Sequence, residues 1–293
     1  MKQKLASLYA LTAGTLWGLM GIFVRHLNTL GLDSLEISLL RMATGLAITG
    51  IYLALRHREL LKIRLKDLWC FAGAGICSQL MMNFTYFTAM RHTSLAVAAV
   101  LLYTAPIFVM LLSALLFRET ITSKKLLALV LAFVGCALVS GIGSDSHVSL
   151  PGLLYGLGAG VSYALYSVFG RYAIRRGYGS WTLTFYSFLF CTLASCFLCD
   201  WQLIVPVAAD ASQWLWILGL GAVSAFAPYI FYSLSLETLE NSRASILASI
   251  EPVVCAIVGV AVFHETMTLQ IAAGICLVLS AIVILSVKAK RTA

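Results

Sequence analysis

The sequence predicts an all-α integral membrane protein of ten transmembrane helices, arranged as two inverted five-helix repeats around a central cavity. Three observations lead there. Of its 293 residues, 61% are hydrophobic and only 11% charged, with mean hydropathy +0.94, against about 25% charged in ordinary soluble domains. Apolar stretches close to the roughly 20 residues needed to cross about 30 Å of hydrocarbon recur along the chain. Finally, the chain repeats itself at an offset of 146 residues: Tyr9 falls on Tyr155, Arg25 on Arg171, Tyr86 on Tyr232, Pro106 on Pro252, and FRETIT (117–122) on FHETMT (263–268), without a gap between Leu8/Leu154 and Leu131/Leu277. An odd number of crossings per repeat forces the second copy into the bilayer upside down, an arrangement that places a binding site between the halves at the midplane.

In order, the spans are read at 5–24, 34–55, 68–90, 94–117 and 124–142, then 150–172, 180–199, 213–236, 242–263 and 268–287. This gives two domains, 1–142 and 150–293, joined by the polar stretch 143–150. Pro151 suits the first turn of the sixth helix. Gly152, Gly156, Gly160 and Ala164 recur at four-residue spacing on that helix, with Gly14 and Gly18 on the matching face of the first. Such rows let helices approach closely, or clear a surface beside a substrate path. Thr122 and Thr268 are placed to cap the fifth and tenth helices, and Glu119 and Glu265 suit turn and capping chemistry.

The net charge of +8 reports orientation. With ten spans, 17 of the 20 Lys/Arg lie on one face, at the termini and in short loops such as 56–67, while Arg25 and Arg91 lie on the other and Arg41 lies within a span. By the positive-inside rule both termini are cytoplasmic, in the cytoplasmic (inner) membrane, and no nucleic-acid partner is expected. Lys2 and Lys4 precede an apolar run too long for a signal peptide, which is read as a retained first helix. All eight cysteines lie in or at the ends of apolar spans. The pair Cys196 and Cys199 has no histidine nearby, so no metal and no cofactor are expected. No phosphate-binding glycine loop and no converging nucleophile, acid and base are present, so an enzyme is not expected.

Polar groups inside lipid are costly, which makes their placement informative. In the third span Gln79, Asn83 and Tyr86 share one helical face, and their mates on the eighth are Ala225, Tyr229 and Tyr232, just after Pro228. These faces line a cavity or bond the bundle together. Glu251, about 13 Å into the ninth span by helical rise, has Ala105 as its mate and is the candidate proton or cation site. On ideal geometry it lies about 180° from Ser242, so Ser242, Ser245, Ser249 and Glu251 share a cavity only if Pro252 distorts the helix. Pro106 repeats that break in the fourth span, beside Tyr103. Arg41 is positioned to pair with Glu251, to recognise an anion, or to brace a helix end. Trp17 and Tyr163, and Met20 and Tyr166, are mates on the first and sixth spans, where aromatic side chains either pack or line a pocket.

Leu16-Trp17-Gly18 in the first span, Leu39-Leu40-Arg41 in the second, the TAP proline Pro106 with its downstream FRE, and Ile250-Glu251-Pro252 followed by Phe263-His264-Glu265 together resemble the EamA-type ten-helix branch of the drug/metabolite transporter superfamily. Ser162-Tyr163-Ala164 and Ser187 depart from that pattern in the second half. The resemblance implies an inner-membrane carrier working by alternating access. Its cavity would be lined by the first, third and fourth helices and by their mates, the sixth, eighth and ninth. Many such relatives export amino acids or other small metabolites. The expected substrate contacts are Trp17, Gln79, Asn83, Tyr86, Tyr103, Tyr163, Tyr229 and Tyr232, with Glu251 and Arg41 as coupling groups and Pro106, Pro228 and Pro252 as hinges. Partners would be a small-molecule substrate, lipid and coupling protons, with the chain a monomer or homodimer. A passive channel and a membrane-embedded accessory or sensor protein are the rival readings.

Overall fold

The structure, a computed structural model, describes residues 2–141 and 149–286 and contains no β-strand among them. Most of the 143–150 junction therefore lies outside the described residues. The first rod is α1 (Lys2–Gly18) and α2 (Met20–Thr29), bent at Leu19; α3 (Ser34–Arg56) returns. Next, α4 (Leu68–Ala72), a π-helical stretch (Gly73–Leu80) and α5 (Met81–His92) form one run. The first half finishes with α6 (Leu95–Leu102), α7 (Ala105–Phe117) and α8 (Ser123–Val139). The second half contains α9 (Leu150–Arg175), α10 (Ser180–Ser195) and a short α11 (Trp201–Ala209). It continues through α12 (Trp214–Leu220), a second π-helical stretch (Gly221–Phe226) and α13 (Ala227–Leu236), then α14 (Asn241–Ala248), α15 (Glu251–Phe263) and α16 (Leu269–Ser286).

Seven of these helical runs are long and apolar enough to cross a membrane: Lys2–Thr29, Ser34–Arg56, Leu95–Phe117, Leu150–Arg175, Ala211–Leu236, Asn241–Phe263 and Leu269–Ser286. The segments read as the fifth and seventh spans are helices of only 17 and 16 residues. The third carries Gln79, Asn83 and Arg91 within its run.

Helix irregularities recur at the 146-residue offset. The chain breaks at Tyr103–Thr104 and again at Ser249–Ile250, and α7 and α15 both restart with proline, Pro106 and Pro252, in their first turn. Proline has no N–H to donate and its ring displaces the carbonyl one turn earlier, so an interior proline kinks or breaks a helix. Both helices end at a left-handed residue, Arg118 (φ 57°) and His264 (φ 56°). The π-helical stretches end at Leu80 and Phe226, also 146 apart, the second just before Pro228. Thr122 and Thr268 cap as expected, accepting from the Lys125 and Ile271 N–H at 3.3 and 3.2 Å, and Ser149 caps α9 ahead of Pro151.

The halves interlock. α1 packs on α13, α14 and α15, while α9 packs on α5, α6 and α7; α3 crosses α10, and α8 runs against α16. Each first helix therefore seats on the other half's broken fourth helix. Glycine makes this possible at two matched points: a Cβ on Gly14 would collide with the Ala248 carbonyl, and one on Gly160 would sit 3.0 Å from the Leu101 carbonyl. The small-residue rows serve helix packing at these points.

Outside the spans, Asp67 ties the 58–67 connection to the second half. Only 2% exposed, it accepts from the Tyr178 hydroxyl (2.8 Å), Arg64 Nε (2.9 Å) and Arg176 Nε (2.9 Å). Burial pushes its carboxyl up, but the Tyr178 hydroxyl and the two guanidinium groups outweigh that and hold it below the ordinary value. Its stabilising contribution is thus complete above the unfolded-state value of about 4 and lost as pH falls through the depressed folded value. Thermal unfolding of detergent-purified protein should show a fall in Tm below about pH 4 that Asp67→Asn reduces; an identical acid limb in the variant would remove Asp67 from that role.

Candidate functional site

A cavity of about 720 Å³, its open mouth included, lies between the halves and is lined by Trp17, Met20, Arg41, Ser78, Met82, Asn83, Tyr86, Phe87, Leu102, Tyr163, Tyr166, Tyr229, Tyr232 and Glu251. A smaller recess of about 280 Å³, its opening included, adjoins it, sharing Leu102, Tyr163 and Glu251 and adding Tyr103, Pro106, Ser245 and Ser249. Glu251 and the serine face of α14 do share a chamber. The break at Ser249–Ile250 resets the helical register, so the 180° separation expected for an unbroken helix does not apply. Ser242 does not join them; its hydroxyl donates to Glu119 at 2.7 Å.

Aromatic rings form one wall. Trp17 meets Tyr229, Tyr232 and Tyr163 at centroid separations of 5.3, 5.5 and 6.2 Å. Tyr166 and Phe188 lie 5.1 and 5.2 Å from Tyr229. Edge-to-face contacts of this kind rigidify a surface that is apolar in body and polar at its tips. Two tips are already used: Tyr232 pairs with Ser167 at 2.8 Å and Tyr166 with Ser233 at 2.9 Å. By contrast Tyr86, Tyr103, Tyr163 and Tyr229 make no hydrogen bond within the described residues, nor does the Glu251 carboxylate. Asn83 donates to Ser38 Oγ at 2.6 Å, leaving its carbonyl oxygen uncommitted.

Arg41 is 6% exposed and donates through Nη1 only to the Met20 thioether, at 2.7 Å, while Nε has no partner. It neither snorkels to an end nor pairs with Glu251: the described ion pairs do not include it. The guanidinium shares the cavity with the Glu251 carboxylate without an ion pair to it, and a buried guanidinium with no hydrogen-bonded anion is expensive.

Of the expected contacts, Trp17, Asn83, Tyr86, Tyr163, Tyr229 and Tyr232 line the main cavity and Tyr103 the adjoining one. Gln79 lines neither. It is 1% exposed and points to α10, where Nε2 donates to Ser187 Oγ at 3.4 Å. The reason is the π-helical stretch ending at Leu80: its wider turn rotates residues upstream out of the α-helical register that would align Gln79 with Asn83 and Tyr86. Met20, Ser78, Met82, Phe87, Leu102 and Tyr166 line the cavity without having been expected as contacts. The position next to Asn83 carried that signal for Met82, and the Met20–Tyr166 pairing carried it for those two. The cysteines are unpaired, and Cys199 donates to the Leu35 carbonyl at 3.5 Å. No metal-ligating cluster occurs among the described residues.

Comparison with known proteins agrees with this architecture. The model of the EamA-like transporter family matches twice, over residues 4–141 and 150–287. An uncharacterized transporter of Archaeoglobus fulgidus is 32% identical over 273 residues, covering 93% of each chain. The threonine/homoserine exporter RhtA of Salmonella typhimurium is 30% identical over 207 residues, 68% of this chain and 65% of that one. A crystal structure with 18% identity superposes over 95% of both chains with a TM-score of 0.80, which speaks to the fold. A multi-pass helical membrane protein with a central aromatic cavity, matched by one family model in each half, is a transporter and not an enzyme, with a small-molecule substrate and a lipid environment: the chain belongs to the EamA-like transporter family.

Proposed function

We propose that the chain is a secondary transporter that exports a small amino-acid-like metabolite across the cytoplasmic membrane by alternating access. Two five-helix repeats, 1–142 and 150–293, cross ten times with inverted topology and both termini inside. Supporting this are the breaks, prolines and left-handed residues at one fixed offset, and the exchange of first helices between halves. The observation that carries the reading is the set of polar groups with unused hydrogen-bonding capacity in an aromatic chamber: the Arg41 guanidinium, whose one bond within the described residues goes to the Met20 thioether, the Glu251 carboxylate and the Tyr86, Tyr163 and Tyr229 hydroxyls. Arg41 suits a carboxylate, Glu251 an ammonium group or a coupling proton, and the rings an aliphatic body. That is the chemistry of a zwitterionic amino acid, in keeping with the threonine and homoserine exported by the relative. Pro106, Pro228 and Pro252 would act as the points about which the broken helices rearrange.

The test is counterflow of radiolabelled threonine or homoserine in proteoliposomes. Saturable accumulation against unlabelled internal substrate is expected; flux without counterflow would favour a channel, and no flux across a panel of amino acids would favour an accessory or sensor protein. Arg41→Lys keeps a charge but loses the planar fork, so the apparent affinity should fall by roughly tenfold, as for one charge-assisted hydrogen bond. An unchanged affinity would exclude Arg41 as the carboxylate partner.

A further inference from the structure

The 146-residue offset makes every side chain at one end of the bundle comparable with its mate at the other, and two pairs of mates differ in what they hold. Glu119 and Glu265 stand on matching backbone: each follows a left-handed residue, and each donates its N–H back to the preceding helix, to Ser113 O (3.2 Å) and Gly259 O (3.0 Å). Their carboxylates diverge. Glu119 accepts from the N–H groups of Asn241 (2.7 Å) and Ser242 (3.3 Å) and from the Ser242 hydroxyl, so it caps the first turn of α14 in the opposite half. Glu265 is half exposed and ion-pairs with Arg25. Arg171 grips the same turn as Glu119: Nε donates to Asn241 Oδ1 (2.9 Å), Nη1 to Leu236 O (2.7 Å), and Nη2 to Leu239 O. Its mate Arg25 holds no carbonyl among the described residues, and lies over the Phe263 ring at 3.9 Å.

The cavity is asymmetric in the same sense. Ser78, Met82 and Phe87 line it, whereas their mates Ser224, Pro228 and Ser233 are buried outside it, Ser233 being bonded to Tyr166 at 2.9 Å. The first helix is bent at Leu19 beside the open chamber; at the matching position, 165, α9 runs unbroken. So the bundle is sealed on the side where the Arg–Glu pair grips the turn and open on the side where its mates grip each other.

We propose that Arg171–Glu119 and Arg25–Glu265 are two alternating gate clamps, of which the structure shows the first engaged and the second released. Resting on the alternating-access reading above, this assigns the second clamp its target. When the sealed end opens, Glu265 caps α6 through the N–H groups of Leu95 and Ala96, and Arg25 takes the carbonyls of Met90 and Thr93, the mates of the atoms now held. The second clamp is the weaker. Leu95 stands where Asn241 supplies an acceptor, and Ile271 and Ser94 stand where Lys125 and Glu240 form a 2.6 Å ion pair. The present state is therefore the resting one.

Two cysteine reporters read the exchange without any substrate, through labelling by a membrane-impermeant maleimide above that of the parent chain. Ser245→Cys lies in the sealed half of the chamber and Phe87→Cys in the open cavity. Glu119→Gln should speed labelling at 245 and slow it at 87, each by about tenfold, as for one lost charge-assisted hydrogen bond. Glu265→Gln should shift both reporters the opposite way. Leu95→Asn, at the exposed first residue of α6, gives Arg25 its missing acceptor and should act in the same direction as Glu119→Gln. Both glutamate variants raising both reporters would mean general loosening and would overturn the clamps, as would no reciprocal shift in any variant. Reciprocal shifts in a protein that shows no amino-acid counterflow would instead retain the clamps and reject the substrate reading.

Discussion

Glu251→Gln should abolish proton-driven transport while leaving threonine counterflow measurable. Glutamine preserves the shape of the side chain and can hydrogen-bond in the same place, but it neither gains nor loses a proton. The carboxylate lies where the two chambers meet, at the first residue of α15, and has no hydrogen bond or ion pair within the described residues. A structural carboxylate would be paired, because an unpaired one inside a membrane bundle is costly. The expected readout in proteoliposomes is loss of accumulation under an imposed pH gradient and a pH-independent exchange rate. Exchange should also slow, since an ammonium-bearing substrate loses its anionic partner, by about tenfold for a charge-assisted hydrogen bond. PH dependence equal to that of the wild type would remove Glu251 from coupling.

Gly14→Ala and Gly160→Ala should each destabilise the protein by about 1–3 kcal/mol, the range for overpacking, and valine at either site should cost more. The cause is specific. At Gly14 a new methyl group collides with the Ala248 carbonyl oxygen at the break in the opposite half's helix, and at Gly160 it meets the Thr104 hydroxyl first, at 2.5 Å, with the Leu101 carbonyl oxygen behind it at 3.0 Å. A carbonyl in that position cannot rotate aside as a side-chain tip can, so the helices must separate. Gly21→Ala is the control, because no atom lies within 4 Å of a Cβ there. Thermal unfolding in detergent should place both variants below Gly21→Ala; equal Tm values across the three would show that the close approach carries no stability. The loss should extend to transport, since the contact sits on the broken segment that carries Glu251 in one half and Tyr103 in the other.

Most of the site was legible because a duplicated chain reports itself. Pro106 and Pro252 marked the helix breaks, the Trp17/Tyr163 mates marked the facing helices, and Glu251 with an alanine mate stood out as a charge that packing does not require. Gln79 was misplaced because periodicity assumes uniform α-helical turns, and no residue type announces the π-helical stretch that rotates it towards Ser187. The same assumption set Glu251 apart from Ser245 and Ser249, which the break brings to one chamber.

By itself, the amino-acid order determined the medium, the duplication and the helix breaks beside Pro106 and Pro252, because hydropathy, repeat spacing and proline act locally along the chain. Partner choice was decided only in three dimensions. Identical spacing gives Glu119 and Glu265 the same backbone, yet one caps a helix across the bundle and the other pairs with Arg25. A side chain's partner depends on what the rest of the bundle brings against it, and a sequence that repeats itself encodes both ends alike while the packing around each end differs.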